Sequence, residues 1–468
     1  MSTDYATFLA SKRTAIQYQG FKPKNLNRHL KDFQGALVDW FCRLGRPGCF
    51  TSTGTGKTLM ELAFAEQVVR NTGKDVLILC PLAVAQQTLR EAEKFEISVD
   101  VCLVREQNDV KAGINLINYE RLHKIDASRF IAVVPDEASI MKHAGSKTRG
   151  QLMDAFHDTP YRMPASATPA PNDYMEIGNQ AEFCGWMSSN EMLATFFTHD
   201  SGETSKWRLK GHALENGVFW KWMASWAVMM QMPSDLGFSD DGYILPPLRY
   251  HEHCIDTGPA AGMLFATEAK TLADERAARR STLPRRVEIA AELANADHES
   301  GDAWIVWCGL NDESKQIAKL IPDAVEVTGS QDIDEKEEKL NAFMQGKHRV
   351  LVSKASIAGF GLNMQCCHKM AICGIDHSFE SMFQLLRRCW RFGQANPVDA
   401  HLIYSAYDLG IRDNLRRKER DFNTMTGSIA EVMRDESRHV IRESEHNKMD
   451  YSPAMAMALP KWLGNGKK

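Results

Sequence analysis

The chain has 468 residues, which is enough for two or three domains with complete hydrophobic cores. Hydrophobic residues at 44% and charged residues at 25% are typical of a soluble globular protein. The net charge of −4 argues against a protein that coats nucleic acid non-specifically, although it leaves room for a local basic track.

Eleven cysteines are scattered along the chain without a CxxC pair. This usage indicates a reduced, intracellular protein that has no zinc framework. We expect neither a signal peptide nor a membrane span, and we place the protein in the cytoplasm.

The first predicted element after a polar extension (residues 1–28) is an apolar helix that contains Ala36, Leu37, Trp40 and Phe41. Gln34 lies at its start. The amide of a Gln offers a donor and an acceptor together, as recognition of an adenine edge requires. Taken alone, Gln34 is equally well an ordinary surface residue.

The stretch Phe50–Thr58, FTSTGTGKT, follows a short apolar lead-in and opens an amphipathic helix. Backbone N–H groups and a helix N-terminus then face one point, where an anion is favoured. Lys57 can reach the β- and γ-phosphates of a nucleotide, and the Thr58 hydroxyl can ligate Mg²⁺. The alternative is a chance Gly/Thr-rich turn, since Thr51 stands where the strict pattern has Gly. The predicted nucleotide-binding residues here are Gln34, Thr53, Gly54, Thr55, Gly56, Lys57 and Thr58.

Strands and helices alternate after this loop, which predicts a parallel sheet with crossover helices. The predicted strands are 76–80, 101–104, 114–118 and 130–134, with a helix at 83–95. Asp136 and Glu137 directly follow the last of these strands. At that edge of a nucleotide-binding sheet, Asp136 could hold Mg²⁺ and Glu137 could deprotonate the attacking water. A solvated turn is the alternative interpretation.

The alternation stops between residues 176 and 255, where five of the ten tryptophans lie. Phe219, Met223, Trp226 and Met230 follow a helical spacing, and Val218 to Met232 predicts one buried helix. We therefore expect a helical insertion that packs on itself, with base-stacking aromatics as the rival interpretation.

Residues 258–298 predict a helical segment with a basic cluster between 270 and 286, the best candidate for contact with a phosphate backbone. A solvated helix face explains it equally well. A second alternating unit follows, with strands at 304–308, 324–327, 350–353 and 370–373, and it has no phosphate loop of its own. The tail from 421 predicts a partly helical, loosely ordered end.

The second unit carries Gln384, Arg388 and Arg391 on a predicted helix. Arginines three residues apart project from one helix face, from which they could reach phosphate charge across a cleft, as arginine fingers do. A basic helix without a role is the alternative, but it leaves the flanking glutamines unexplained.

Taken together, these stretches resemble the superfamily-two helicases, and within them the Swi/Snf-type DNA translocases, over residues 28–410. Ser139 stands where the family's D-E-A-H box has His, and Arg387 where its sixth motif usually has Gly. The compact size resembles the small helicases of bacterial viruses, which would act in the cytoplasm of a bacterial host. The further matching stretches are Asn118–Glu120, Ser166–Asn172 (the S-G-T-P-x-x-N form) and Gly359–Asn363, the last of which includes Gly361 as a nucleotide-site residue.

The resemblance implies an α/β fold with two tandem RecA-like lobes, each a doubly wound parallel sheet, and ATP with Mg²⁺ between them. We expect lobe one at 1–175, the insertion at 176–255, lobe two at 256–420 and the tail at 421–468. Catalytic roles fall on Asp136, Glu137, Gln384, Arg388 and Arg391.

The expected activity is ATP-driven translocation on DNA, with duplex DNA favoured and unwinding left open. An RNA helicase is an alternative, because sequence separates DNA from RNA substrates poorly. An ATP-gated DNA clamp and a P-loop enzyme that acts on a small molecule, such as a kinase, are the rivals from other classes.

Overall fold

The computed structural model describes residues 20–143, 145–171, 173–199, 207–211, 218–256, 279–358 and 363–442. Its helices are α1 (Asp32–Leu44), α2 (Lys57–Thr72), α3 (Leu82–Lys94), α4 (Lys147–Phe156), α5 (Ile177–Cys184), α6 (Ser189–Phe196), α7 (Val218–Ala224), α8 (Leu283–Ala296), α9 (Asn311–Leu320), α10 (Ile333–Met344), α11 (Ala355–Ala358), α12 (Phe379–Cys389) and α13 (Leu409–Arg442).

The strands alternate with these helices along most of the chain. They are β1 (Gly48–Thr51), β2 (Val76–Cys80), β3 (Val101–Leu103), β4 (Ile114–Asn118), β5 (Ala132–Pro135), β6 (Tyr161–Arg162), β7 (Phe197–His199), β8 (Trp207–Leu209), β9 (Ala227–Met230), β10 (Leu248–Ile255), β11 (Trp304–Cys308), β12 (Ala324–Val327), β13 (Val350–Lys354), β14 (Lys369–Cys373) and β15 (Val398–Ser405).

The first lobe is built on a parallel sheet with the strand order β3-β4-β2-β5-β6, and β1 pairs in parallel with β9. The chain just beyond β6 joins the two parts, since the N–H of Cys49 donates to the carbonyl of Pro164 at 2.9 Å and Ala165 bridges both Cys49 and Asp136. Every residue of β2 and β4 is buried, as expected of parallel strands that are covered by helices on both faces.

The second lobe is built on a six-stranded parallel sheet in the order β10-β15-β14-β11-β13-β12. Its central strand β11 carries Trp304 and Trp307, which are 2% and 1% exposed and therefore belong to the core. The prediction of two α/β lobes with doubly wound parallel sheets is thus confirmed.

The Trp-rich segment is only partly helical. The single helix predicted over 218–232 is wrong, because α7 ends at Ala224 and Ala227–Met230 forms β9 beside β1. A short apolar run that is buried on all sides has no diagnostic period, so pairing with β1 decides its structure. The rings of Phe50 and Trp226 meet edge to face at 6.0 Å, and Trp226 is fully buried, which favours core packing over base stacking for this residue.

Strand β10 completes the second sheet, and helix α13 ties the two lobes together. β10, which the sequence placed in the insertion, pairs with β15 at the edge of the second sheet. Helix α13 starts at the end of β15 and packs against α7, β9 and α1 of the first lobe. Among the residues that the structure describes, no helix combines the length and apolar character needed to cross a bilayer.

Candidate functional site: a cleft between the lobes

The phosphate loop joins β1 to α2 and has the shape that its sequence predicts. Gly54 and Gly56 have φ angles of +86° and +81°, in the left-handed region that favours glycine. A Cβ on Gly56 would lie 2.2 Å from Nε2 of Gln34. The hydroxyl of Thr55 donates to the Ser52 carbonyl at 2.7 Å and lies 3.0 Å from the hydroxyl of Thr51. Thr51 thus braces the loop at the position where the strict pattern has glycine.

Gln34 supports the loop from the side. Its Nε2 donates to the carbonyl of Thr55 at 2.7 Å, and its Oε1 accepts from the N–H of Lys31 at 2.8 Å. The side chain is 4% exposed. These contacts give Gln34 a structural task at the loop, while its contact with adenine stays a prediction.

The two carboxylates follow β5, at the same edge of the sheet as the phosphate loop. The backbone of Asp136 is held by its N–H bond to the carbonyl of Leu79 at 2.7 Å and by the Tyr119 hydroxyl, which donates to its carbonyl at 2.5 Å. Glu137 has a φ of +55°, an uncommon conformation for a residue with a Cβ. Such strain is characteristic of functional sites, where the surrounding structure imposes it.

The electrostatics of this pocket link the lysine to the carboxylates. Burial lowers the pKa of Lys57, but the charges of Glu137, Asp136 and Glu61 outweigh it and leave the pKa raised. Burial and the charge of Glu137 raise the pKa of Asp136 to about 6, against the opposing effect of Lys57. Lys57 is therefore held as a cation beside the carboxylates.

Glu61 is a member of the site that the sequence reasoning missed. It is 1% exposed on α2, and burial and the neighbouring Asp136, to which it is hydrogen-bonded, raise its pKa well above the ordinary value. Its Oε1 has no hydrogen-bond partner. The available signal was its position one helical turn after Lys57, which places both side chains on the same face of α2.

The second lobe contributes arginines to the same cleft. Arg388 is 5% exposed on α12, and its Nε donates to the carbonyl of Gln384 at 3.2 Å. Burial lowers the pKa of Arg388, and the charges of Glu137 and Asp136 partly offset that effect. An interaction of this kind requires proximity, so Arg388 lies near the carboxylates of the first lobe.

Arg391 is not on the helix as predicted, because α12 ends at Cys389. It nevertheless lies near Arg388. Burial, followed by the charge of Arg388, lowers the pKa of Arg391 to about 10, and its Nε is buried without a hydrogen-bond partner. The charge of Glu91 on α3 partly offsets this effect, and an anion such as a phosphate would be attracted by both arginines.

The lobes touch at the phosphate loop itself. A Cβ on Gly54 would lie 2.9 Å from the backbone N of Phe392, in the segment after α12. The ring of Phe392 lies 4.9 Å from that of Tyr243, which in turn lies 5.4 Å from that of Phe33 on α1. A column of aromatic rings therefore connects the start of α1 with the second lobe beside the loop.

A cavity of about 1210 Å³, here called the cleft, lies between the lobes and has Glu137 and Gln384 in its lining. Asn363 also lines it, whereas Gly361 lies outside the described residues. The lining is largely apolar, and its charged members are six basic side chains from both lobes and the acidic Glu120, Glu137 and Glu380. These basic residues are Arg90, Arg105, Arg121, Lys142, His143 and Lys336.

The basic segment 270–286, predicted as a phosphate-backbone contact, does not form one basic surface in the described part. Arg286 is 1% exposed and pairs with Glu313 on α9, so it cannot reach a ligand. Arg279 donates to the carbonyl of Ile375 at 2.6 Å. These two arginines therefore stabilise the second lobe and are not contacts to a phosphate backbone.

The residues at the loop fit a nucleoside triphosphate. The two glycines form a cradle that a Cβ would fill, and the buried Oγ1 of Thr53 has no partner. Thr58, in the first turn of α2, and Asp136 offer the oxygen ligands that Mg²⁺ prefers. No group of three or more His, Cys, Asp or Glu that could hold a metal ion occurs among the described residues.

Comparisons with known proteins agree with this geometry. Residues 26–171 match the family described as the type III restriction enzyme res subunit, and residues 285–393 match the helicase conserved C-terminal domain. No curated protein matches the chain.

Two solved structures are similar. The Sulfolobus solfataricus SWI2/SNF2 ATPase core in complex with dsDNA is 16% identical over 90% of this chain and 98% of that chain, with a TM-score of 0.41. S. cerevisiae Dbp5 bound to RNA and ADP BeF3 is 10% identical over 86% of this chain and 93% of that chain, with a TM-score of 0.55, and it shows the fold. With both family matches falling on the two lobes that form the cleft, the chain belongs to the superfamily-two helicases.

Proposed function

We propose that the protein is a nucleic-acid-stimulated ATPase that translocates on DNA, with duplex DNA as the favoured track. One observation carries this proposal: the second lobe reaches the phosphate loop of the first, where a Cβ on Gly54 would lie 2.9 Å from the backbone N of Phe392, and Glu137 and Gln384 line one cleft. A site assembled from two lobes is complete only when they close, so hydrolysis and lobe movement are coupled.

The residues around the loop divide the work between them. The phosphate loop and Lys57 hold the β- and γ-phosphates, and Glu137 orients the attacking water and accepts its proton. Arg388 and Arg391 stabilise the charge that develops on the transferred phosphoryl group. Mg²⁺, held by Thr58 and Asp136, would supply further neutralisation of phosphate charge.

The cleft beyond the nucleotide site is the proposed path of the nucleic acid. Arg90, Arg105, Arg121 and His143 line it from the first lobe, and Lys336 lines it from the second. Contacts of this kind with the phosphate backbone fix position without reading sequence. A track gripped from both lobes is moved whenever the lobes close and open.

The preference for DNA rests on the resemblance of Ser166–Pro171 to the Swi/Snf-type motif; Asn172 lies outside the described residues. The alternative of an RNA helicase uses the same cleft chemistry. A small-molecule kinase leaves Arg388 and Arg391 of a separate lobe unexplained. The lobe limits 1–175 and 256–420 stay a prediction; β9 pairs with β1 of the first lobe, and β10 extends the sheet of the second lobe to Leu248.

The decisive experiment measures the steady-state ATPase rate of the purified chain with no nucleic acid, single-stranded DNA, duplex DNA and RNA. The proposal predicts the largest stimulation with duplex DNA. Stimulation by RNA alone selects the RNA helicase, and equal rates in all four conditions overturn the proposal. Displacement of a third strand from a DNA triplex then separates a motor from a clamp, which leaves the third strand in place.

A further inference from the structure

A second contact joins the lobes away from the phosphate loop. Lys142 of the first lobe and Glu380 of the second form an ion pair in the lining of the cleft. Their side chains are 20% and 14% exposed, so the pair is shielded from most of the solvent. Shielding strengthens the attraction and makes the loss of either partner costly, because a partly buried charge is then left alone.

The Lys142 end of the pair is rigidly linked to the catalytic carboxylates. A 3-10 turn, Ala138–Met141, directly connects Glu137 to Lys142. Helix α5 holds this turn at both ends. Gln180 donates to the carbonyl of Ala138 at 2.8 Å, and Asn179 donates to the carbonyl of Lys142 at 2.8 Å. Lys142 therefore moves together with Glu137.

The Glu380 end is linked in the same way to the arginine of the second lobe. Glu380, Gln384 and Arg388 are spaced by four residues along α12, so all three project from one face of that helix. Eight residues of α-helix span about 12 Å. The helix thus lies along the first lobe with one charge of this face at Lys142 and the other at Asp136 and Glu137.

We propose that Lys142 and Glu380 are positioning residues that set the register of α12 against the first lobe and so place Arg388 at the triphosphate. This inference rests on the proposed function and deepens it. Lys142 directly follows the turn that begins after Glu137, and its ion pair with Glu380 connects that turn to α12.

The test uses the charge reversals Lys142→Glu and Glu380→Lys, singly and combined, in the full chain. The measured quantities are kcat and the KM for ATP at saturating duplex DNA, together with the DNA concentration that gives half-maximal stimulation. Each single reversal is expected to lower kcat about tenfold or more and to leave the KM for ATP within about twofold, since the phosphate loop is intact. The combined variant restores the pair in reverse and is expected to recover kcat to within about threefold of wild type.

A matched control is the ion pair of Arg28 and Glu96, whose side chains are 74% and 58% exposed. Reversing it singly or together is expected to leave kcat unchanged, as is usual for a surface pair. Melting temperatures of all variants exclude loss of kcat through unfolding.

Three outcomes overturn the inference: wild-type kcat in the single variants, a combined variant no faster than the singles, or a defect seen only in the DNA concentration required. The last outcome makes Lys142 a DNA contact instead. These results differ from failure of the proposed function, in which the wild-type chain itself shows no stimulation and the role of the pair falls with it.

Discussion

Two arginines of the second lobe are almost fully buried, and the regions around them serve different purposes. Arg286 on α8 is 1% exposed within the core of the lobe, and Arg388 on α12 is 5% exposed near the carboxylates of the first lobe. The counter-charge of Arg286 is Glu313 of the same lobe, at 3.1 Å from Nε to Oε1. The counter-charges of Arg388 are Asp136 and Glu137, which belong to the other lobe.

The difference shows that burial and charge do not by themselves mark a catalytic arginine. Arg286 also donates to the hydroxyl of Thr282 and, at 2.8 Å, to the carbonyl of Arg279, so its donors are used within one rigid body. Its interactions persist whatever the lobes do. The environment of Arg388 exists only while the lobes face each other, which is the property that a motor requires.

Replacing Arg388 with Ala removes the arginine that lies between the lobes and has the largest expected effect. We expect kcat for stimulated ATP hydrolysis to fall at least about 10³-fold, because this group stabilises charge at the transferred phosphoryl. The melting temperature of the variant, measured in parallel, separates loss of catalysis from loss of folding. Wild-type kcat in this variant would move Arg388 out of the site.

Replacing Arg286 with Met removes the buried ion pair with Glu313 in the core of the second lobe. We expect the free energy of unfolding to fall by about 3–5 kcal/mol, because Glu313 is left buried and uncompensated. Urea denaturation measures the loss. The double variant Arg286→Met with Glu313→Leu is the control and should recover most of it; equal losses in both variants would show that the ion pair is not the cause.

Gly54→Ala tests the contact between the second lobe and the phosphate loop. The positive φ and the backbone N of Phe392, 2.9 Å from the new Cβ, both oppose the substitution. We expect kcat/KM for ATP to fall about tenfold or more, because the new Cβ pushes the segment of Phe392 away from the phosphate loop. Gly73→Ala is the matched control, since Gly73 also has a positive φ but no atom near a Cβ. Equal effects would refute the role of the lobe contact.

The smallest effect concerns pH and the second lobe alone. Burial, then the nearby His251 and His253, lowers the pKa of His401 to about 4, although Asp399 opposes this. The ordinary value is about 6.5, so between these pH values the unfolded chain binds more protons and stability falls as the pH falls. We expect His401→Gln to lose less stability than wild type between pH 7 and pH 4.5 in urea titrations. Parallel losses would contradict this assignment.

The elements that were predicted correctly are those whose local sequence pattern decides their structure. The runs Val76–Cys80, Ile114–Asn118, Trp304–Cys308 and Ala324–Val327 form strands with the predicted bounds. Val76–Cys80 and Trp304–Cys308 are continuous apolar runs, as parallel strands covered on both faces require. The loop and the carboxylates also lie where a parallel sheet requires, at the carboxyl edge.

The remaining features depend on partners that are distant in the chain. Ala227–Met230 is a strand because β1 lies beside it, and Arg286 is buried because Glu313 lies opposite. No local pattern contains these pairings. Glu61 was missed for a similar reason, because a glutamate on a helix is ordinarily exposed and only the approach of Asp136 makes it part of the site.

The central claim is that Glu137 of the first lobe acts on a triphosphate that the arginines of the second lobe complete. Its most direct test is single-turnover ATP hydrolysis by Glu137→Gln at saturating duplex DNA, with ATP binding measured in parallel. We predict that the Glu137→Gln variant still binds ATP and that its rate of hydrolysis falls at least about 10³-fold. Hydrolysis at the wild-type rate would contradict it.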